Sequence, residues 1–205
     1  MDKTRLVNLS DGTFAIVLTL LVLDIRIPMH ALTDQELIHQ LLALSPVFLA
    51  YFTSFTVLAM FWISHNFFYD SLSRTIDRKL ILLNMTFLAF LSLIPFSARL
   101  LGEYPGVAIA TAVYGVNVLL IGIVYSIMFE YALSSKEIDS AMISSRTLKQ
   151  ARIRRFVTTG FSFAGILSSF ISFPLALVLY AFPIIFNTIP GLLNAVERFF
   201  GFEIA

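Results

Sequence analysis

Asp11 and His65 are the pair of side chains in this sequence most able to do chemistry together. A carboxylate beside an imidazole can hold a proton, orient a base or contribute to a metal site. The other members of such sites are missing. The chain has three histidines and no cysteine, which excludes disulfides, thiolate nucleophiles and Cys-ligated metals. His30 and His39 lie in a different segment from His65, and no second carboxylate sits at the depth of Asp11. Hydrolase, zinc-site and Ser-His-Asp arrangements therefore lack parts. The sequence predicts neither an enzyme nor a cofactor. Two roles remain for Asp11 and His65: a structural hydrogen-bonded network, or a proton relay in a proton-coupled secondary transporter.

The elements that must hold these residues are apolar. Of the 205 residues, 58% are hydrophobic and 13% charged, against about 25% charged in a soluble domain. The net charge is +1, so nucleic acid is not an expected partner. The apolar residues come in blocks of the ~20 residues that a membrane-crossing helix needs. Six spans are predicted: 4–24, 46–69, 80–101, 106–133, 156–173 and 174–189. Pro183 and Pro190 are expected to kink or end the last. Thr33 and Glu36 form a capping box that opens a short amphipathic helix over 34–44. The stretch 134–155 is a basic loop that continues a helix into the cytosol, with Lys136, Arg146, Lys149, Arg152, Arg154 and Arg155. The first block is not a cleaved signal peptide, because Asp11 interrupts it and Asp24-Ile25-Arg26 stands where small residues would be. The predicted fold is an all-α integral membrane protein, one six-helix domain over 1–205.

Basic residues orient a membrane protein, since cytosolic segments carry the excess. With six spans, twelve of the fourteen Lys and Arg fall on the side of both termini, and only Arg26 and Arg99 on the other. Both termini are therefore expected in the cytosol. Antiparallel neighbours then bring Asp11 and His65 to similar depth near the cytosolic face, with Asn66 beside them and Arg5 as the nearby cation. His30 and His39 fall on the opposite side. Glu130 and Glu103, at the ends of spans, are expected to be solvated. Asn84, Asn117 and Asn187 are single amides suited to interhelical hydrogen bonds. No span carries the repeated Arg pattern of a voltage sensor.

Two features of the spans concern ions. Thr111-Ala112-Val113-Tyr114-Gly115 is similar in letters to the TVGYG filter of potassium channels. That filter is an extended loop that presents carbonyls, whereas this segment has one glycine and sits within a long helical block. Coincidence is the expectation. In the first span, Ile16, Leu20 and Leu23 fall within about 60° of one another on a helix. Gly12 and Thr19 flank that face, while Ser10, Asp11 and Asp24 point elsewhere. Such a stripe by itself most often means packing.

The run from Arg5 through Ser10 and Asp11 to Ile16 resembles the Arg-x-x-x-Phe-Ser-Asp signature of the transmembrane protein 175 family, the lysosomal potassium channels of animals and their shorter prokaryotic homologues. Leu9 stands where the family usually has Phe. The resemblance extends to Thr19–Leu23, to Trp62-Ile63-Ser64-His65-Asn66 and to Leu93-Ile94-Pro95-Phe96. It covers the whole chain as one six-span repeat. It implies a homotetramer in the plasma membrane of a prokaryote, with four first helices around a pore that conducts K+ and has no TVGYG filter. Ile16, Leu20 and Leu23 would form apolar rings at the constriction. Ile16 and Thr19 would contribute to selectivity. Arg5, Ser10, Asp11, Trp62, His65 and Asn66 would form a hydrogen-bonded network behind the pore helix. The implied ligand is permeant K+ alone, and the implied partners are lipid and three further copies of the chain.

Overall fold

A computed structural model describes residues 2–27, 33–72, 75–135 and 145–188, and every regular element among them is helical. The order is α1 (Lys3–Leu20), extended by a 3-10 turn (Leu21–Asp24), α2 (Asp34–Ala43), α3 (Ser45–Phe67) with a terminal π turn (Phe68–Leu72), α4 (Arg78–Leu91), α5 (Ile94–Glu103), α6 (Ala108–Ser134), α7 (Ser145–Ser168) and α8 (Phe173–Thr188). Lipid offers no hydrogen bonds, so helices that satisfy their own backbone are the form such apolar blocks must take.

Among the described residues, four helical stretches are long and apolar enough to cross a membrane: Lys3–Asp24, Ser45–Ser71, Arg78–Glu103 and Ala108–Ser134. The third expected span is two helices. Pro95 lacks the N–H that would continue the ladder and its ring crowds the preceding turn. The break falls at Ser92 and Leu93, where the amide of Leu93 turns back to the carbonyl of Phe90 at 3.1 Å. The expected basic loop 134–155 is largely helix: α6 runs to Ser134 and α7 starts at Ser145, while 136–144 lie outside the described residues. The two further expected spans fall on α7 and α8. The apolar part of α8, Phe173–Pro183, is shorter than the other four, and four arginines occupy the first half of α7. Pro183 does not end α8, which continues to Thr188. Pro190 lies outside the described residues. The capping box of α2 is present, with Thr33 Oγ1 accepting from the Glu36 amide and Glu36 from the Thr33 amide.

The core is aromatic. Phe14, Phe87, Phe68, Phe129, Tyr69, Tyr114 and Tyr180 are among the largest fully buried side chains. The filter-like letters sit within α6, as expected for a coincidence. Gly115 has a packing role there. A Cβ at that position would lie 2.1 Å from the Tyr180 hydroxyl, so the missing side chain admits Tyr180 from α8. Tyr180 then donates to the carbonyl of Thr111 at 3.1 Å and meets Tyr114 edge-on at 5.4 Å.

Candidate functional site

The two faces of α1 are built differently. Leu6, Ser10, Phe14, Val17 and Leu21 are buried, at spacings of four and three that keep one face of the helix against α3, α4 and α5. From Leu9 to Leu23 the other face is exposed and uncharged, with the exposed Arg5 one turn before it. Leu9, Ile16, Leu20 and Leu23 are 47%, 61%, 41% and 58% exposed, and Gly12 and Thr19 accompany them. The Thr19 hydroxyl donates back to its own helix, to the carbonyls of Ile16 at 2.8 Å and Ala15 at 3.1 Å. Its oxygen lone pairs are left to whatever occupies that face.

The buried face of α1 is held by a neutral polar cluster. Ser10 Oγ donates to the carbonyl of Leu6 at 3.0 Å, so it must accept from the Asn84 amide nitrogen, also at 3.0 Å. That fixes the amide orientation and turns the Asn84 oxygen toward Tyr69 and His65. Tyr69 donates to that oxygen at 3.2 Å, and His65 Nε2 lies 2.9 Å from it. Nε2 therefore carries the proton, and His65 Nδ1 is left without a partner. Phe87 stacks on the imidazole at 5.6 Å, and Phe14 meets it edge-on at 5.7 Å. Ser10, His65, Tyr69 and Asn84 are all fully buried.

Sequence reasoning placed Asp11 with His65, and the structure pairs it otherwise. Asp11 lies beyond the cluster and accepts from the Trp62 indole N–H at 3.0 Å. His65 goes instead to Asn84 of α4. Arg5 and Asn66 make no hydrogen bond to the cluster among the described residues, and Arg5 is exposed. Asn84 and Tyr69 are the members that sequence reading left out. Asn84 was legible as an interhelical amide, but its partners depend on how α4 rotates against α1 and α3. Asn117 and Asn187 also bond between helices, to Ser97 at 3.1 Å and to Thr158 at 3.3 Å.

Glu130 is not simply solvated, as its place near the end of α6 suggested. Arg152 and Arg155 grip it from α7, at 2.9 and 2.7 Å. Arg155 also donates to the carbonyl of Ser126 at 3.2 Å and lies over the Phe129 ring at 3.8 Å. Glu103 likewise pairs with Arg99, one turn before it, at 2.8 Å. Among the described residues no group of three or more His, Asp or Glu converges as a metal site.

The sequence profile of the family described as endosomal/lysosomal potassium channel TMEM175 matches residues 5–95. A potassium channel of Chamaesiphon minutus is 35% identical over 135 residues, 64% of this chain and 66% of the relative. A solved structure of a TMEM175 homologue from that organism, described as a lysosomal potassium-selective channel, superposes with a TM-score of 0.76 at 28% identity, covering 90% of this chain and 95% of the other. The chain belongs to the TMEM175 family. A potassium channel of Streptomyces collinus is 29% identical over 157 residues, 75% of each chain. The human TMEM175, described as an endosomal/lysosomal proton channel, is 36% identical over 104 residues, and this chain spans 20% of its length. The solved MtTMEM175 channel shares the fold, with a TM-score of 0.57 at 20% identity. The TMEM175 profile match encloses α1 together with Trp62, His65 and Asn84, the residues that fix the buried side of α1.

Proposed function

We propose that four copies of this chain form a potassium-selective channel in a prokaryotic plasma membrane, with α1 of each lining the pore. Both termini lie in the cytosol, and α7 and α8 complete six spans. The observation that carries this reading is the asymmetry of α1: a helix fastened along one face and, from Leu9 to Leu23, exposed and free of charge along the other. Four such faces about a symmetry axis make a narrow apolar neck, which gates by excluding water. Ile16 forms the principal ring, Leu20 and Leu23 follow toward the outer end, and Thr19 offers hydroxyl oxygens beside the constriction. Potassium sheds its hydration shell more readily than sodium, so a tight apolar neck favours it. Such a pore needs no TVGYG filter and no carboxylate ring.

The buried cluster serves as the rigid backing that keeps α1 from rotating and so keeps Ile16 on the axis. A proton-coupled transporter built on Asp11 and His65 has less support. The two side chains bond to different partners, and His65 Nδ1 has no hydrogen-bond partner.

The test is Ile16→Asn in planar bilayers. Wetting the neck should raise single-channel conductance and shift the reversal potential in mixed potassium and sodium toward nonselectivity. Currents unchanged in both respects would remove α1 from the pore.

A further inference from the structure

A second feature lies away from α1, at the end of the bundle where the α1 N-terminus meets the end of α3, marked by the bond from the Lys3 ammonium to the carbonyl of Tyr69. There α3, α6 and α7 enclose a cleft of about 490 Å³, within the ~300–1,000 Å³ range of small-ligand sites. One wall is apolar, made by Met60, Ile63 and Phe67 of α3 and Phe129 of α6. The facing wall carries Arg154 and Arg155 of α7, with Asn187 of α8 at its base.

Among the described residues the charges there do not balance. Three guanidiniums, Arg152, Arg154 and Arg155, stand near one carboxylate, Glu130. Arg152 and Arg155 share Glu130. Arg154 has no carboxylate partner among the described residues and donates to the carbonyl of Asn187 at 3.1 Å. Arg155 is held in place by Ser126 and Glu130, so its position is set in advance. The Asn187 side-chain oxygen is buried and unpartnered, ready to accept from a hydroxyl. The cleft thus presents fixed cations, a waiting acceptor and an apolar wall at one end of the helices.

We propose that this cleft binds an anionic phospholipid of the bilayer, its phosphodiester on Arg154 and Arg155, a headgroup hydroxyl on Asn187 and an acyl chain along Met60, Ile63 and Phe67. Basic pockets between membrane helices hold lipid head groups in this way. Free phosphate would satisfy the arginines and leave the apolar wall wet. A second copy of the chain would bring its own surplus of arginines against the same surplus. The inference rests on the membrane-channel reading only in placing the chain in a bilayer. A lipid docked here touches α3 and α6 together, the helices that carry His65 and the wall behind it.

The experiment is native mass spectrometry of the intact protein in neutral detergent, titrated with dioleoylphosphatidylglycerol and, separately, dioleoylphosphatidylcholine. Retention of phosphatidylglycerol over phosphatidylcholine is expected. Arg154→Gln should weaken that retention about fivefold, the effect of one basic residue at a lipid head group, whereas Arg154→Lys should keep most of it. Ala151→Trp, which fills the cleft without changing its charge, should abolish it with helicity intact. Equal retention in Arg154→Gln, Ala151→Trp and the parent would overturn the site. Inorganic phosphate that displaces the lipid at matched concentration would make this an anion site and overturn the lipid assignment. An oligomer mass altered by Ala151→Trp, with lipid retention unchanged, would make the cleft a contact between copies. Lipid retention is read without current, so a failure of the pore assignment leaves this result standing on its own.

Discussion

Two polar clusters near the same end of the bundle hold helices together by opposite means. Ser10, Asn84, His65 and Tyr69 are neutral, fully buried and joined by four hydrogen bonds among side chains and one backbone carbonyl. Glu130, Arg152 and Arg155 are charged, and Glu130 and Arg152 are about half exposed, while Arg155 is 10% exposed. The difference follows from depth. A charge taken into the hydrocarbon must be paired or cost several kcal/mol, so the buried joint uses amide, hydroxyl and neutral imidazole. At the rim, where water and head groups screen, arginine and glutamate are affordable and add little by themselves. The neutral joint sets the rotation of α1. The charged joint ties α6 to α7 and orients the arginines that frame the neighbouring cleft.

Substitutions at the two joints should separate accordingly. Asn84→Leu should have the largest effect, because it strands the Tyr69 and His65 donors and the Ser10 acceptor in apolar surroundings. We expect a loss of about 2–3 kcal/mol, read as a fall in thermal midpoint and in the yield of folded oligomer in detergent. A midpoint unchanged by Asn84→Leu would show that helix packing alone fixes α1. Glu130→Gln should be milder, about 1 kcal/mol or less, because the pair is partly exposed. The parent should lose that increment in high salt, while the variant's midpoint should not respond. A variant as salt-sensitive as the parent would mean the ion pairs contribute nothing measurable.

Asp11→Asn should be smaller still, since asparagine keeps an oxygen that can accept from the Trp62 indole. Folded yield should fall slightly and the potassium-to-sodium reversal potential should hold. Intact assembly with altered proton sensitivity would restore Asp11 as part of a relay.

The family match encloses the neutral joint. Residues 5–95 contain α1, α3 and α4, hence every member of the joint. The charged joint lies in α6 and α7, beyond that match, and so do the arginines of the cleft, whose apolar wall on α3 is inside it. A rigid backing for α1 is a requirement that any copy of this architecture must meet, whereas the outer helices have more freedom in how they close the bundle.

Much of this was legible from residue order. The apolar blocks had to be helices, because no other backbone form satisfies itself in lipid. Thr33 and Glu36 had to cap α2, and the spacing of Ile16, Leu20 and Leu23 had to put them on one face of α1. What the sequence could not supply was the rotation and pairing of helices distant along the chain. Hydrogen-bond partners such as Asn84 for His65, Trp62 for Asp11 and Arg155 for Glu130 lie 19, 51 and 25 residues apart. Periodicity states which residues share a face, and only packing decides what that face meets. That is why Ser10 and Ile16, less than two turns apart on α1, end in a buried polar joint and on an open apolar surface.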